Sequence, residues 1–298
     1  MNDVFALCGI SRQAHYQGIQ RFVEEKQKEE LYIRMMVQVR EIHPGMGIRT
    51  MYEMLQPEGI GRDAFVALGL QEGFRLKSVE KKTRTTYSIK SNRYGNLLGG
   101  EEFTGINQVW SSDITYLYCL DRTFYIVLIM DLYSRRIVGY SVADNMRAEN
   151  NVYAMEMALQ LRGIEKYGNS LIHHSDKGTQ YACNEYTQLT ENYEIRISMC
   201  DEVYENTHIE RVNGTIKNDY LNRMVISNRK QLDVKVADAI TAYNESRPHQ
   251  ALDYMSPVAY ENHLSGIEKS KRKKMTIYTI KKDDKSAHPE QLNLFDIN

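Results

Sequence analysis

Three acidic residues occupy contexts that could bring their carboxylates together. Asp113 lies in the strand-like run 108–116, Asp176 follows the short apolar strand 171–174, and Glu210 lies in a helical stretch. Mg²⁺ takes oxygen ligands and keeps waters that substrate phosphates can replace. Two such ions can activate a water or hydroxyl and stabilise the leaving oxygen of a phosphodiester. The pattern predicts phosphodiester chemistry at a site for two Mg²⁺ ions, for which Mn²⁺ could substitute.

The alternative is that these acids are scattered surface charges. An acid within a half-buried strand, such as Asp113, is costly unless something pairs with it. The next run, 123–131, is continuously apolar, which is typical of a central strand covered on both faces. Clustered carboxylates also repel one another unless a cation binds among them. A shared site is therefore favoured.

Several motifs resemble those of bacterial insertion-element transposases, whose second reading frame encodes a catalytic core similar to that of retroviral integrases. The resemblance extends from about residue 30 to about residue 262. It is carried by Trp110-Ser-Ser-Asp-Ile-Thr-Tyr116, Asp131-Leu-Tyr-Ser-Arg-Arg-Ile-Val-Gly139, His174-Ser-Asp-Lys-Gly-Thr-Gln-Tyr181, Glu205-Asn-Thr-His-Ile-Glu-Arg-Val-Asn-Gly214 and Tyr243-Asn-Glu-Ser-Arg-Pro-His-Gln-Ala-Leu252.

The resemblance places Asp113, Asp176 and Glu210 at the family's Asp-Asp-Glu positions. It implies a DNA transposase that nicks the element ends and then joins the freed 3′-hydroxyl to target DNA. Implied partners are the terminal inverted repeats, a second copy of the chain and the first-frame product. The 33 residues between Asp176 and Glu210 are two fewer than is usual. Glu205 is the one other acid that could take the place of Glu210.

Two other functions remain open for such a core. A DNA-binding regulator of transposition would keep the fold without cleaving DNA. A ribonuclease-H-like nuclease would hydrolyse phosphodiesters without joining strands. Detection of cut and joined products separates all three.

The predicted strands and helices that must position these acids indicate an α/β protein. Its core is expected to be a ribonuclease-H-like mixed sheet. Residues 1–77 are predicted to form a helical region with a helix-turn-helix, since two short amphipathic stretches flank a glycine-containing turn; plain helical packing is the alternative. The further expected regions are a basic linker over 78–102, the catalytic core over 103–230, a helical extension over 231–264 and a flexible tail over 265–298.

The net charge of −1 conceals a strong regional contrast. Residues 101–220 carry 10 Lys and Arg against 18 Asp and Glu, so bound cations would have to offset part of this charge near DNA. Residues 73–93 hold seven basic residues and one acidic residue, which suits either phosphate binding or a solvated linker. The residues predicted to contact DNA are Arg62, Lys77, Lys81, Lys82, Arg84, Lys177, Asn213 and Lys217.

Other polar residues near the acids have local interpretations. Lys217 lies on the same helical face as Glu210 and could reach a phosphate, although a solvated lysine fits equally well. Asp131 is expected to cap a turn. Of His173 and His174, one is expected to point into the core and the other to meet DNA.

The C-terminal pentapeptide resembles the motif with which bacterial proteins dock on the replicative sliding clamp. Its apolar side chains would fill a groove of the clamp while the glutamine bonds at the edge. The residues concerned are Gln291, Leu292, Leu294 and Phe295.

Composition restricts the class of protein further. No apolar run approaches the length of a membrane span, and the N-terminus lacks the plan of a signal peptide. The four cysteines show no metal-binding or disulfide spacing, which is typical of reduced cytosolic thiols. We therefore expect a cytoplasmic protein without a membrane partner.

Overall fold

The structure is a computed structural model that describes residues 9, 11–77, 94–200 and 206–277. The chain divides into two compact units, Met1–Ser78 and Val79–Asn298. Within the described ranges, no helix is both long enough and apolar enough to span a bilayer.

In its described residues, the first unit forms a cluster of three helices. Its helices are α1 (Arg12–Ile42), α2 (Ile48–Leu55) and α3 (Arg62–Gln71). Ser11 caps α1, because its hydroxyl accepts a hydrogen bond from the Ala14 amide at 3.1 Å. The core is built around Met36, Met51 and Phe65, which are fully buried. The predicted pair of short helices is confirmed, and α1 packs on it through its C-terminal half only.

The second unit is built on a five-stranded mixed sheet. Its strands are β2 (Val109–Cys119), β3 (Arg122–Asp131), β4 (Ile137–Ala143), β5 (Ile172–Ser175) and β6 (Arg196–Met199). The strand order is β4-β3-β2-β5-β6. Strands β2, β3 and β4 form an antiparallel meander, whereas β5 and β6 run parallel to β2. The predicted mixed sheet is confirmed.

Helices cover both faces of this sheet, which explains why β3 is apolar throughout. Ile126 and Leu128 belong to one buried cluster and Val127 and Ile129 to the other; successive strand residues point to opposite faces. The first cluster includes α6 (Thr207–Thr215) and α7 (Arg229–Glu245), and the second includes α4 (Ala148–Arg162) and α5 (Asn184–Asn192). Helix α8 (Pro257–Ser265) follows.

Gly139 in β4 lies very close to the backbone of α4. A Cβ at this position would lie 2.1 Å from the Ala154 carbonyl oxygen and 3.0 Å from the Ala158 Cβ. Only glycine permits this backbone contact. The contact sets how closely α4 packs on the sheet.

Asp131 caps the turn between β3 and β4, as predicted. Its Oδ1 accepts hydrogen bonds from the backbone amides of Tyr133 and Ser134 at 3.0 and 3.2 Å. Its Oδ2 lies 3.3 Å from the Arg162 guanidinium, which also pairs with Glu261 of α8. This buried network fastens α8 to the sheet.

Two predicted boundaries need correction. Leu98, within the predicted linker over 78–102, is fully buried in the core of the second unit. The predicted flexible tail over 265–298 begins with ordered chain, because β7 (Met275–Thr276) pairs antiparallel with β1 (Glu102–Phe103). The polar composition of both segments concealed these few apolar contacts.

Candidate active site

The parallel register of β2 and β5 places two of the predicted acids at one level of the sheet. Val109 pairs with Ile172, and the last pair is Ser111 with His174. Asp113 and Asp176 each lie two residues beyond that last pair. Because side chains alternate along a strand, residues two apart share a face. Asp176 follows the end of β5, where its Oδ1 accepts a hydrogen bond from the Gly178 amide at 3.1 Å.

Helix α6 is fastened to β2 on both sides of Glu210. At its N-terminal end, the Asn206 side chain bonds to the Ser111 hydroxyl and donates to the Ser112 carbonyl at 3.1 Å. Further along, the Asn213 amide donates to Asp113 Oδ2 at 2.8 Å. Residues three and four apart share a helical face, so Glu210 lies on the same face as both asparagines. That face is turned toward β2.

The three acids influence one another electrostatically. Burial first, and then the charges of Asp176 and Glu210, raise the pKa of Asp113 to about 7, although the Asn213 hydrogen bond lowers it. Burial and the Asp176 charge also raise the pKa of Glu210. Burial raises the pKa of Asp176, although the hydrogen bond from the Gly178 amide lowers it. By exposed surface area, Asp113 is half-buried and Asp176 and Glu210 are exposed, so the neighbouring protein removes these carboxylates from water only in part.

The donor set fits a hard divalent cation, although the carboxylates are not closed around one point. Among the residues the structure describes, no three His, Cys, Asp or Glu side chains form a ready-made metal cage. The acids nevertheless supply oxygen ligands under mutual repulsion, which a cation would relieve. Within the described residues, the buried Asn213 Oδ1 beside Asp113 has no hydrogen-bond partner.

The predicted DNA-binding residues have different surroundings. Lys217 lies in the π-helical segment Ile216–Tyr220, with its ammonium 4.8 Å from the centre of the Tyr116 ring. Arg62 is exposed at the start of α3 and pairs with Asp63. Lys177, next to Asp176, is partly exposed, and Lys77 is the last residue described before the gap.

Asn213 is a correction to this set. It is 4% exposed and its amide is committed to Asp113, so it acts on the acid and does not reach DNA directly. The predicted residues Lys81, Lys82, Arg84, Gln291, Leu292, Leu294 and Phe295, together with the alternative acid Glu205, lie outside the described residues.

The prediction that one of His173 and His174 meets DNA was wrong, because both rings are fully buried. His174 Nδ1 lies 2.9 Å from the Ser198 hydroxyl and its Nε2 lies 3.1 Å from the Cys200 sulfur. His173 Nε2 lies 3.0 Å from the Ser112 hydroxyl. Both histidines therefore brace the strand ends beneath the acids.

Sequence reasoning missed the buried hydrogen bonds that join Asn206 to Ser111 and Ser112. Two serines in a β-rich run indicate only local polarity, and Asn206 sits among helix-capping residue types. The one signal in the sequence is that these polar residues stand among apolar ones. If such polar side chains are buried, they need hydrogen-bond partners.

Asn206→Ala is expected to lower the free energy of unfolding by about 2 kcal/mol, because it strands the buried Ser111 hydroxyl and Ser112 carbonyl. It is also expected to reduce catalytic turnover, since α6 would lose its anchor next to Glu210. Urea unfolding of the purified chain measures the first effect. Asn222→Ala, which removes an exposed Asn222–Asn218 hydrogen bond, is the control. If both variants lose the same free energy of unfolding, the bonds of Asn206 do not hold α6 to β2.

His173 should make the fold sensitive to acid. Burial, and then the neighbouring His174, lower the pKa of His173 to about 3. Between pH 6.5 and 3, His173 is protonated in the unfolded chain but neutral in the folded chain. The free energy of unfolding therefore falls as the pH falls, by about 2 kcal/mol at pH 5. His173→Gln should lose less stability than the parent between pH 7 and pH 5 in urea unfolding. Parallel losses would contradict this assignment.

Comparisons with known proteins agree with this architecture. Residues 104–203 match the model of the integrase core domain, and residues 193–257 match a second integrase core domain model. The "Insertion element IS600 uncharacterized 31 kDa protein" of Shigella sonnei is 30% identical over 261 residues, covering 85% of this chain and 95% of that protein. The "Transposase for insertion sequence element IS629", also of Shigella sonnei, is 29% identical over 227 residues, covering 74% of this chain and 75% of that protein.

A solved structure shows a more distant likeness. The HTLV-2 integrase catalytic core domain in complex with magnesium (trimeric form) is 17% identical, with a TM-score of 0.42, over 56% of this chain and 99% of that chain. The family matches confirm the integrase-like class of the predicted core. The chain belongs to the bacterial insertion-element transposases that carry an integrase core domain.

Proposed function

We propose that this chain is a DNA transposase that nicks the ends of its insertion element and joins the freed 3′-hydroxyls to target DNA by metal-assisted phosphoryl transfer. The observation that carries the proposal is the arrangement of Asp113, Asp176 and Glu210 around β2 and β5. Asp113 lies within β2 just beyond the level where its pairing with β5 ends, Asp176 directly follows β5, and Glu210 lies on a helix face that is anchored to β2. As a member of its family, the chain is a polynucleotidyl transferase.

The three carboxylates would hold two Mg²⁺ ions, with Mn²⁺ as a substitute. Bound there, the ions would supply activation of the attacking water or hydroxyl and stabilisation of the leaving oxygen. Asn213 orients the Asp113 carboxylate, and the Gly178 amide orients that of Asp176. The raised pKa of Asp113 leaves this group partly protonated near neutral pH, so that cation binding displaces a proton there.

DNA would be held by cations around this acidic site. Lys177 directly follows Asp176, and Lys217 lies two helical turns beyond Glu210. Both would meet phosphates that flank the scissile bond. In the first unit, exposed Arg62 at the start of α3 supports a DNA-binding role for the α2–α3 pair.

Strand transfer in vitro tests the proposal. The purified chain is incubated with labelled duplex DNA that copies one end of its element, a target plasmid and Mg²⁺ or Mn²⁺. We expect both cut and joined products. Binding without cutting would favour a regulator, whereas cutting without joining would favour a nuclease.

The same assay distinguishes the two candidate helical acids. Glu210→Gln should abolish both products, because the hydrogen bonds of Asn206 and Asn213 place residue 210 on the face toward β2. Glu205→Gln should remain active. The reverse pattern would reject the proposed register of α6.

Lys217→Gln is expected to weaken binding of duplex DNA uniformly across sequences and to reduce the salt dependence of binding by about one unit of slope, the effect of losing one phosphate contact. Fluorescence anisotropy at several salt concentrations measures this slope. Lys166→Gln, which removes an exposed lysine paired with Glu194, is the matched control. An unchanged slope would leave Lys217 as a solvated side chain over Tyr116.

The remaining partners follow from the family and from the C-terminal peptide. We propose assembly of at least two copies on paired element ends, together with the first-frame product. The pentapeptide from Gln291 to Phe295 would dock on the bacterial sliding clamp. Calorimetric titration of a peptide covering residues 285–298 into the clamp tests this contact, and no measurable heat at micromolar concentrations would remove it.

A further inference from the structure

Four buried nitrogen and oxygen atoms around the segment 243–249 have no hydrogen-bond partner within the described part of the chain. They are Arg135 Nη1, Tyr243 Oη, Arg247 Nη1 and His249 Nε2; we call them the donor cluster. Buried polar groups without partners cost free energy, so several in one neighbourhood require an explanation such as a bound ion or water. The proposed chemistry at the three acids does not use them.

The four side chains belong to one neighbourhood. The rings of Tyr243 and His249 pack edge to face with centroids 4.8 Å apart. The charges of Arg135 and Arg247 both act on Tyr243 and on His249. Burial first, and then these two guanidiniums, lower the pKa of His249 to about 3. The ring is therefore neutral and can donate from Nε2 to a ligand in one of its tautomers.

The backbone holds the two guanidiniums in place. Arg135 adopts a φ of 61° in the turn between β3 and β4, a conformation that is strained for a side-chain-bearing residue. Arg247 follows the end of α7, and its Nη2 bonds to Asp219 Oδ2 at 2.6 Å. Such strain is retained where the surrounding structure requires it, so the inward placement of Arg135 is a built feature.

The nearby carboxylates are already engaged. Asp131, which acts on Arg135, accepts from the amides of Asn107, Tyr133 and Ser134 and pairs with Arg162. Asp219 is paired with the other nitrogen of Arg247. The cluster thus holds two permanent cations whose Nη1 groups lack an acceptor.

We infer that the donor cluster binds one phosphate-like oxyanion, either a DNA backbone phosphate or the free ion. Guanidinium groups only donate, and paired guanidiniums match the oxygens of a phosphate. A single water could accept from the guanidiniums and donate to Tyr243 or to the neutral His249, but it would bring no negative charge to the two cations, as an oxyanion does. The four atoms are closed to solvent, so entry requires a covering side chain to move. Exposed Arg211, whose charge acts on Arg135, directly follows Glu210 on α6 and would attract the anion.

Thermal unfolding of the full chain in inorganic phosphate tests the inference, with chloride at equal ionic strength as reference. The melting temperature should rise saturably with phosphate. Tyr243→Phe removes one unpartnered hydroxyl, so without phosphate it should melt no lower than the parent, but its apparent phosphate affinity should fall about tenfold. Arg247→Lys keeps the charge beside Asp219 and should also weaken phosphate binding, because the fork geometry is lost. Arg196→Gln, an exposed arginine on β6, should bind phosphate as the parent does.

A different pattern would overturn the inference. If Tyr243→Phe melts below the parent in both buffers and phosphate shifts both chains equally, the cluster holds an internal water. Equal phosphate shifts in every variant would be the general stabilisation that excluded salts give, and would overturn it too.

Duplex DNA distinguishes the two sources of the anion; this arm rests on the proposed function. With cleavage blocked by Asp113→Asn, adding Arg247→Lys should reduce the affinity for DNA at every salt concentration if a backbone phosphate occupies the cluster. Unchanged DNA affinity with saturable phosphate binding would assign the free ion. The phosphate arm needs no cleavage, so failure of strand transfer alone would reject the proposed function and leave this inference standing.

Discussion

Asp113→Asn is expected to abolish nicking and joining together, by about 10³-fold or more, which corresponds to about 4 kcal/mol of transition-state stabilisation. An amide at this position removes one of the three negative charges that would hold the cations, while Asn213 can still donate to its oxygen. Both products should therefore disappear from the strand-transfer assay without loss of the fold.

The same substitution should raise thermal stability in EDTA. Asp113 has a folded pKa of about 7, above its usual 3.8, so the folded chain holds a proton that the unfolded chain releases between these values. Stability therefore falls as the pH rises through this window, and at pH 8 the charged Asp113 opposes folding. Asparagine removes that cost.

Added Mg²⁺ should reverse the order. The parent gains stability because the ions bind the folded state, and the variant gains less. Asp144→Asn, an exposed acid outside the site, is the control and should behave as the parent in both assays. A fully active Asp113→Asn chain would remove the proposed chemistry, whatever its stability.

Gly139→Ala is expected to have the largest effect on folding, with a loss of about 3 kcal/mol or more. The new methyl would lie 2.1 Å from the Ala154 carbonyl oxygen. That atom belongs to the helix backbone and cannot turn aside, so α4 would have to move away from the sheet. We expect a strongly reduced soluble yield and a lower urea midpoint.

Gly95→Ala is the matched control, because a Cβ there meets nothing within 4 Å. It should unfold with the parent. If Gly139→Ala also unfolds with the parent, the close packing of α4 on β4 does not constrain the sheet. Far-ultraviolet circular dichroism shows whether each variant retains its secondary structure.

Sequence reasoning predicted most of the regular elements because their signals are local. The two short amphipathic stretches predicted within residues 1–77 form α2 and α3, and the continuous apolar run 123–131 indicated a strand buried on both faces. Asp131 followed from the chemistry of turns. In each case a hydrophobic period or a single residue type carried the information.

What the sequence could not reveal depends on contacts between distant segments. The bonds from Asn206 to Ser111 and Ser112 join residues about ninety positions apart, and no local pattern records them. The clash-free approach at Gly139 is similar, because a glycine in a strand indicates neither which helix lies over it nor at what distance. The catalytic roles of Asp113, Asp176 and Glu210 remain predictions.

The pairing of Glu102 with Thr276 and of Phe103 with Met275 brings the first and last strands of the second unit side by side. The chain therefore begins and ends the described part of this unit in neighbouring strands. The residues that directly flank this pairing, 101 and 277, are therefore close in space, and new termini could be opened in a surface turn such as 120–121. The catalytic unit is in this sense a closed ring of chain, amenable to circular permutation.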